Sequence, residues 1–172
     1  ISDYLERALA FGRRIPETNS REKFRAHVMD VQILNFLGIF CTFIGERAEA
    51  RRHCDAALAL CQTMGNILGE GQTRNSIAEL LQNEGDFEQA LRFLEQALRA
   101  VQQLNEPDSV GTILGKLCGV LIYLGDYPRA LQHGREAVEL RRSHGLLGHL
   151  LFYQLGLAAY HLGDVEQALK WA

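Results

Sequence analysis

Six His and four Cys are the residues in this sequence best able to bind a metal or act as nucleophiles, so their spacing comes first. Cys41, Cys54, Cys61 and Cys118 form no Cys-x-x-Cys pair, and the histidines form no His-x-x-x-His or His-Glu-x-x-His motif. His53 and Cys54 are adjacent and point to different faces of a helix. No metal site is expected, and Cys41, Cys54 and Cys118 read as small packing residues. Gly69-Glu70-Gly71 lacks the third glycine of a dinucleotide-binding loop and follows no strand pattern, and there is no Gly-x-Ser-x-Gly elbow. Glu136 and Glu139 stand beside Arg135 and Arg141, where solvated ion pairs are the ordinary outcome. A protein that is not an enzyme and carries no cofactor is expected.

What remains is recognition chemistry. Gln32 and Asn35 are matched forty residues later by Gln72 and Asn75, which Glu79 and Gln82 follow at helical spacing. A carboxamide both donates and accepts, which suits the backbone of an extended peptide, although a solvated helix face is polar in any case. In the same register come Thr112, Gly115, Gly119 and Ile122, then Leu150, Tyr153, Leu157 and Tyr160. Gly111, Gly115 and Gly119 leave a bare stripe, and each interior Gly costs a helix roughly 0.5 to 1 kcal/mol relative to Ala. Either a ligand lies against that backbone, with Lys116 as the cation for an acidic group, or a neighbouring helix packs close. Tyr153 and Tyr160 could anchor a partner, while Phe152 reads as core.

The elements that position these residues follow from a repeat. Gly45-Glu46, Gly85-Asp86, Gly125-Asp126 and Gly163-Asp164 are spaced by 40, 40 and 38 residues. Alanines stand five residues after each Gly (Ala50, Ala90, Ala130, Ala168) and twelve after the first three (Ala57, Ala97, Ala137). Apolar residues at helical spacing lie on both sides, as in Ile113, Leu114, Leu117, Val120, Leu121 and Leu124. Each unit is therefore a helix, a tight turn and a helix. The Gly takes a left-handed conformation at the first helix's end, and the acid suits the N-terminus of the second. No β pattern competes, so the fold class is all-α.

These residues resemble the tetratricopeptide repeat family. The small residue seven before each turn Gly (Gly38, Ala78, Cys118, Gly156), the turn itself and both alanines of the second helix match its pattern. The resemblance implies an α-solenoid of antiparallel helix pairs, wound as a right-handed superhelix, that binds partners on its concave face. The family's repeat is usually about 34 residues and often closes with Pro; here Gln62, Gln102 and Arg142 stand at that place, so the second helix should run about a turn longer. Repeats this long are similar to those of signalling and transcription-regulatory proteins.

A single array over residues 1–172 is expected: a lone second helix at 1–14, a connector from Ile15 to Arg21, and helix pairs at 22–64, 67–105, 107–144 and 146–172. The start at Ile1 and the stop within a helical pattern read as a piece of a longer protein. Neither end shows the polar cap a solenoid needs, so apolar edges and some self-association through them, as a consequence of excision, are expected.

The balance of charge excludes other classes. With 18 basic and 21 acidic residues there is no footprint for nucleic acid or an anionic membrane. The most apolar stretch, Ile33 to Ile44, falls short of the roughly 20 residues that span a bilayer, so no membrane segment is expected. Unpaired cysteines without a leader point to the cytoplasm. The function expected is a module that binds a protein or peptide for a larger regulator. The alternatives are an effector sensor controlling an attached ATPase or DNA-binding domain, and a self-assembly scaffold.

Overall fold

The computed structural model describes residues 20–104, 106–142 and 149–171. The expected helix at 1–14, nearly all of the connector that follows it, and the link between the third and fourth pairs lie outside the described residues. The chain divides into two compact units, Ile1–Glu84 and Gly85–Ala172. Among the described residues there are eight helices and no strand, the all-α architecture of helix-turn-helix repeats.

The first unit holds α1 (Ser20–Phe43), α2 (Arg47–Met64) and α3 (Ile67–Glu84). Each of the three packs on the other two. Gly38 lets α1 close on α2: a Cβ there would stand 2.6 Å from Cys54 Sγ and 3.4 Å from the Ala50 carbonyl. Ala50, Cys54, Ala57 and Cys61 are the buried positions of α2, against Val31, Leu37 and Cys41 of α1 and Ile77, Ala78, Leu80 and Leu81 of α3. Small residues on the second helix thus admit the bulkier first helices.

The second unit holds α4 (Phe87–Gln102), α5 (Pro107–Tyr123), α6 (Tyr127–Arg142), α7 (His149–His161) and α8 (Val165–Trp171). Successive helices pack on one another, and α5 also meets α7. First helices therefore touch their own second helix and the next first helix, as they do in the first unit. Leu94, Leu114, Leu117, Leu121, Val138 and Leu155 form the large buried side chains.

The turns behave as their residues require. Gly45, Gly85, Gly125 and Gly163 have φ between 77° and 85°, where a Cβ is strained. Asp86, Asp126 and Asp164 each accept a bond from the backbone N–H three residues on, at 3.0, 3.3 and 2.9 Å. Glu46 holds the same place without a side-chain cap. A further left-handed glycine, Gly65 at φ 64°, ends α2 and donates to the carbonyls of Cys61 and Gln62.

Helix α1 corrects one expectation. Its segment Arg21–Phe43 is long and apolar enough to cross a membrane by length and composition, beyond the dozen residues that the sequence marks out. The helix buries Asp30 and Asn35 along with Val31 and Leu37 and packs on α2 and α3, while 33% of its apolar window is buried and Phe24, Met29, Phe36 and Phe43 are exposed.

Candidate interaction surface

The first helices carry the residues singled out for recognition, and two seams between them show where those residues point. Across α1 and α3, Asn35 Nδ2 donates to Thr73 Oγ1 at 3.0 Å, both groups buried. Across α5 and α7, a Cβ at Gly115 would lie 3.9 Å from Leu151 Cδ1, and one at Gly119 would lie 2.7 Å from Gln154 Nε2. Thr73 and Leu151 occupy the same place, twelve residues before their turn glycines. One register rule governs both seams.

Asn35 accordingly does not stand open to a ligand. It is 9% exposed, its amide nitrogen is engaged by Thr73, and its Oδ1 is buried without a donor. Thr73 also lies 4.0 Å from Cys61 Sγ. A buried polar link is costly unless paired, so this one fixes α1 against α3 more than it invites a partner.

The other carboxamides of the first unit are freer. Gln32 on α1 and Gln72 on α3 are exposed, and Asn75, Glu79 and Gln82 are half-buried. Asn75 Oδ1 is buried and receives no donor, while Gln82 Nε2 donates to the Ala78 carbonyl at 3.2 Å. Ser76, between them, turns its hydroxyl to the Gln72 carbonyl at 3.3 Å. The arrangement can supply carbonyl acceptors and N–H donors along one helix face, the chemistry of backbone recognition.

The glycine stripe of α5 meets neighbouring side chains. A Cβ at Gly111 would meet Arg141 Cγ at 2.9 Å, and Gly115 and Gly119 face Leu151 and Gln154. Close packing, the second of the two readings, describes Gly111 and Gly119, whereas a Cβ at Gly115 would make only ordinary contact. Lys116 is half-buried and already engaged. Sequence reasoning missed Gly134 on α6, where a Cβ would stand 2.6 Å from Leu155 Cδ2 and 3.0 Å from Cys118 Sγ. Its signal was its place on the buried side of α6, between Ala130 and Ala137.

Tyr153 and Tyr160 on α7 are exposed, as are Leu150 and, on α8, Leu169. In the register of α5, Tyr153 is the counterpart of Gly115, the residue that faces the following first helix. Phe152 stacks on Trp171 with ring centroids 5.8 Å apart, consistent with a packing role. Two further stacks recur at the turns: Phe87 on Tyr123 and Tyr127 on His161, both at 4.5 Å. Each pairs the residue two after one turn glycine with the residue two before the next.

The polar surface of the second helices is structural. Arg129 bridges α6 to Glu95 of α4 at 2.8 Å, and Arg135 reaches Gln167 of α8. Arg135 thus prefers an amide to the acids beside it in sequence, and Arg141 is half-buried with its Nε unpartnered. Burial, followed by the Arg129 guanidinium, holds His133 below its ordinary value. All four cysteines are buried free thiols; burial pushes Cys54 to about 11 and Cys118 to about 12. None is poised as a nucleophile.

The register, the turn glycines and the paired alanines now meet an independent finding. Residues 69–143 match the sequence pattern of the tetratricopeptide repeat family. That stretch is a tetratricopeptide repeat segment. Solved tetratricopeptide-like structures share the fold of the chain at low identity. BtubC (BKLC) from P. vanneervenii superposes with a TM-score of 0.82 at 18% identity, over 99% of this chain and 68% of that one. A Signal Transduction ATPase with Numerous Domains from Pyrococcus horikoshii, with a tetratricopeptide repeat sensor, gives 0.74 at 14%, over 97% of this chain but only 27% of that one. TPR-like repeats from Podosopora anserina give 0.71 at 14% identity, over 82% and 70% of the two chains. Tetratricopeptide repeats are in general modules of protein interaction.

Proposed function

We propose that this chain is a non-catalytic module that binds an extended protein segment through the carboxamide face of its first unit. Gln32, Gln72, Asn75 and Gln82 are the contacts to the ligand backbone, and Glu79 supplies a carboxylate for a basic or hydroxylated side chain. Asn35 acts behind them by holding α1 and α3 in register. The observation that carries this reading is the pair Gln32 and Gln72, both exposed and both thirteen residues before their turn glycines on α1 and α3, where a carboxamide can donate to and accept from a ligand backbone.

The setting we propose is a signalling or transcription-regulatory protein of the cytoplasm. Four reduced thiols support a reducing compartment. The fold likeness to a chain whose tetratricopeptide repeats form the sensor of a signalling ATPase supports the regulatory role. Selection of a phage-displayed peptide library on the purified chain tests the binding claim. A peptide consensus that is lost with Gln72→Ala and Asn75→Ala supports it; no consensus, or one retained by both variants, overturns it.

A further inference from the structure

The turns of the second unit carry a row of aromatic rings along one edge. Phe87 opens α4 and stacks on Tyr123 at the end of α5, and Tyr127 opens α6 and stacks on His161 at the end of α7. Both pairs have centroids 4.5 Å apart and planes within 11° of parallel. Phe87 and Tyr127 are half-buried, whereas Tyr123 is 72% exposed and His161 is exposed as well. Each pair thus has one ring held by packing and one that presents a face to solvent. Tyr123 keeps its exposure although α6 and α7 follow it within the same unit, so its free face belongs to an interior repeat. Arg142 and His149, between which the chain continues, lie at the opposite ends of α6 and α7 from these turns.

Carboxylates border the rings. Asp86 and Glu88 flank Phe87, Asp126 precedes Tyr127, and Asp164 and Glu166 follow His161 in the last turn. Arg129 answers Asp126 at 3.5 Å and Lys170 answers Glu166 at 2.8 Å, which leaves Asp86, Glu88 and Asp164 without a cation among the described residues. Asp86 and Asp164 turn to backbone N–H groups, while Glu88 is exposed. A free aromatic face and unanswered negative charge call for the same ligand group, a planar cation. We propose that this turn edge binds an arginine-rich segment of a partner protein, with a guanidinium stacked on the free face of Tyr123 in the negative field of Asp86 and Glu88. The Tyr127–His161 pair beside Asp164 is a second platform one repeat on, so arginines spaced along one segment engage both.

Other ligand groups fit this edge less well. A lysine ammonium is a compact, strongly hydrated charge that gains less from a ring face than the flat guanidinium does. An apolar segment would cover the rings only by desolvating the carboxylates beside them, with nothing to pair them. The surface lies on the second unit and shares no residue with the carboxamide face of the first, so the two stand or fall separately.

The test is fluorescence anisotropy of two labelled peptides, one of three Arg-Gly pairs and one of three Lys-Gly pairs, titrated with the purified chain. Far-UV circular dichroism verifies the fold of each variant. The Arg-Gly peptide is expected to bind more tightly than the Lys-Gly peptide. Tyr123→Ala weakens its binding about two- to fivefold, the worth of an exposed cation–π contact, and Glu88→Lys weakens it as well. Tyr123→Phe, which keeps the ring, and Gln72→Ala, on the other unit, bind it as the parent chain does. A parent chain that does not bind the Arg-Gly peptide, or that binds the Lys-Gly peptide equally well, overturns the inference. So does full affinity in Tyr123→Ala or Glu88→Lys, or a loss in Tyr123→Phe or Gln72→Ala.

Discussion

Asn35 Nδ2 donates to Thr73 Oγ1 at 3.0 Å across the α1–α3 seam, a buried polar bond between the first helices of successive repeats. Replacing Thr73 by Val strands both polar atoms of the Asn35 amide. A loss of about 1–3 kcal/mol is expected in urea denaturation, the cost of an unsatisfied buried polar group. Adding Asn35→Leu removes the stranded amide, and the double variant should recover part of the loss; a double-mutant cycle reads that coupling.

Two glycines should respond in opposite directions. A Cβ at Gly115 meets only ordinary contact with Leu151 at 3.9 Å, so Gly115→Ala should gain up to about 0.5–1 kcal/mol from helix propensity. Gly134→Ala drives its methyl into fully buried Leu155 and Cys118 and should lose about 1–3 kcal/mol. Thermal unfolding of the two variants checks both signs.

The period of about forty, the helix pairs and the turns were legible because glycine, aspartate and alanine each do one job at a fixed place in the repeat. The orientation of the recognition face was only partly legible. Periodicity shows which side of α1 faces away from Ala50 and Ala57, but not how far the next first helix slides along it. That slide puts Asn35 on Thr73 and brings Gln154 against Gly119 of α5. Gly65, Asn105 and Gly145 also recur every forty residues, and that spacing was a readable sign of the left-handed turn at Gly65.

Stability should depend on His133. Burial and Arg129 lower its proton affinity against the opposing pull of Glu136, Glu95 and Asp126. The unfolded chain then binds a proton at higher pH than the folded one. Its contribution is fully present above 6.5, the ordinary value, and is lost as pH falls through the window below it. His133→Gln should flatten that part of the stability profile, measured by denaturation at a series of pH values.

Thiol chemistry offers a separate check. With Cys54 and Cys118 buried and raised to about 11 and 12, and Cys41 and Cys61 also raised by burial, the native chain should react slowly with a thiol reagent at neutral pH. All four should react at once in denaturant.

The most direct measurement of the central claim is a side-chain amide NMR titration, in which a peptide from the library selection is added to the chain. The account predicts that the amide resonances of Gln32, Gln72, Asn75 and Gln82 shift with saturation while that of Gln154, in the α5–α7 seam, stays in place. Saturable shifts elsewhere with those four unmoved would contradict it.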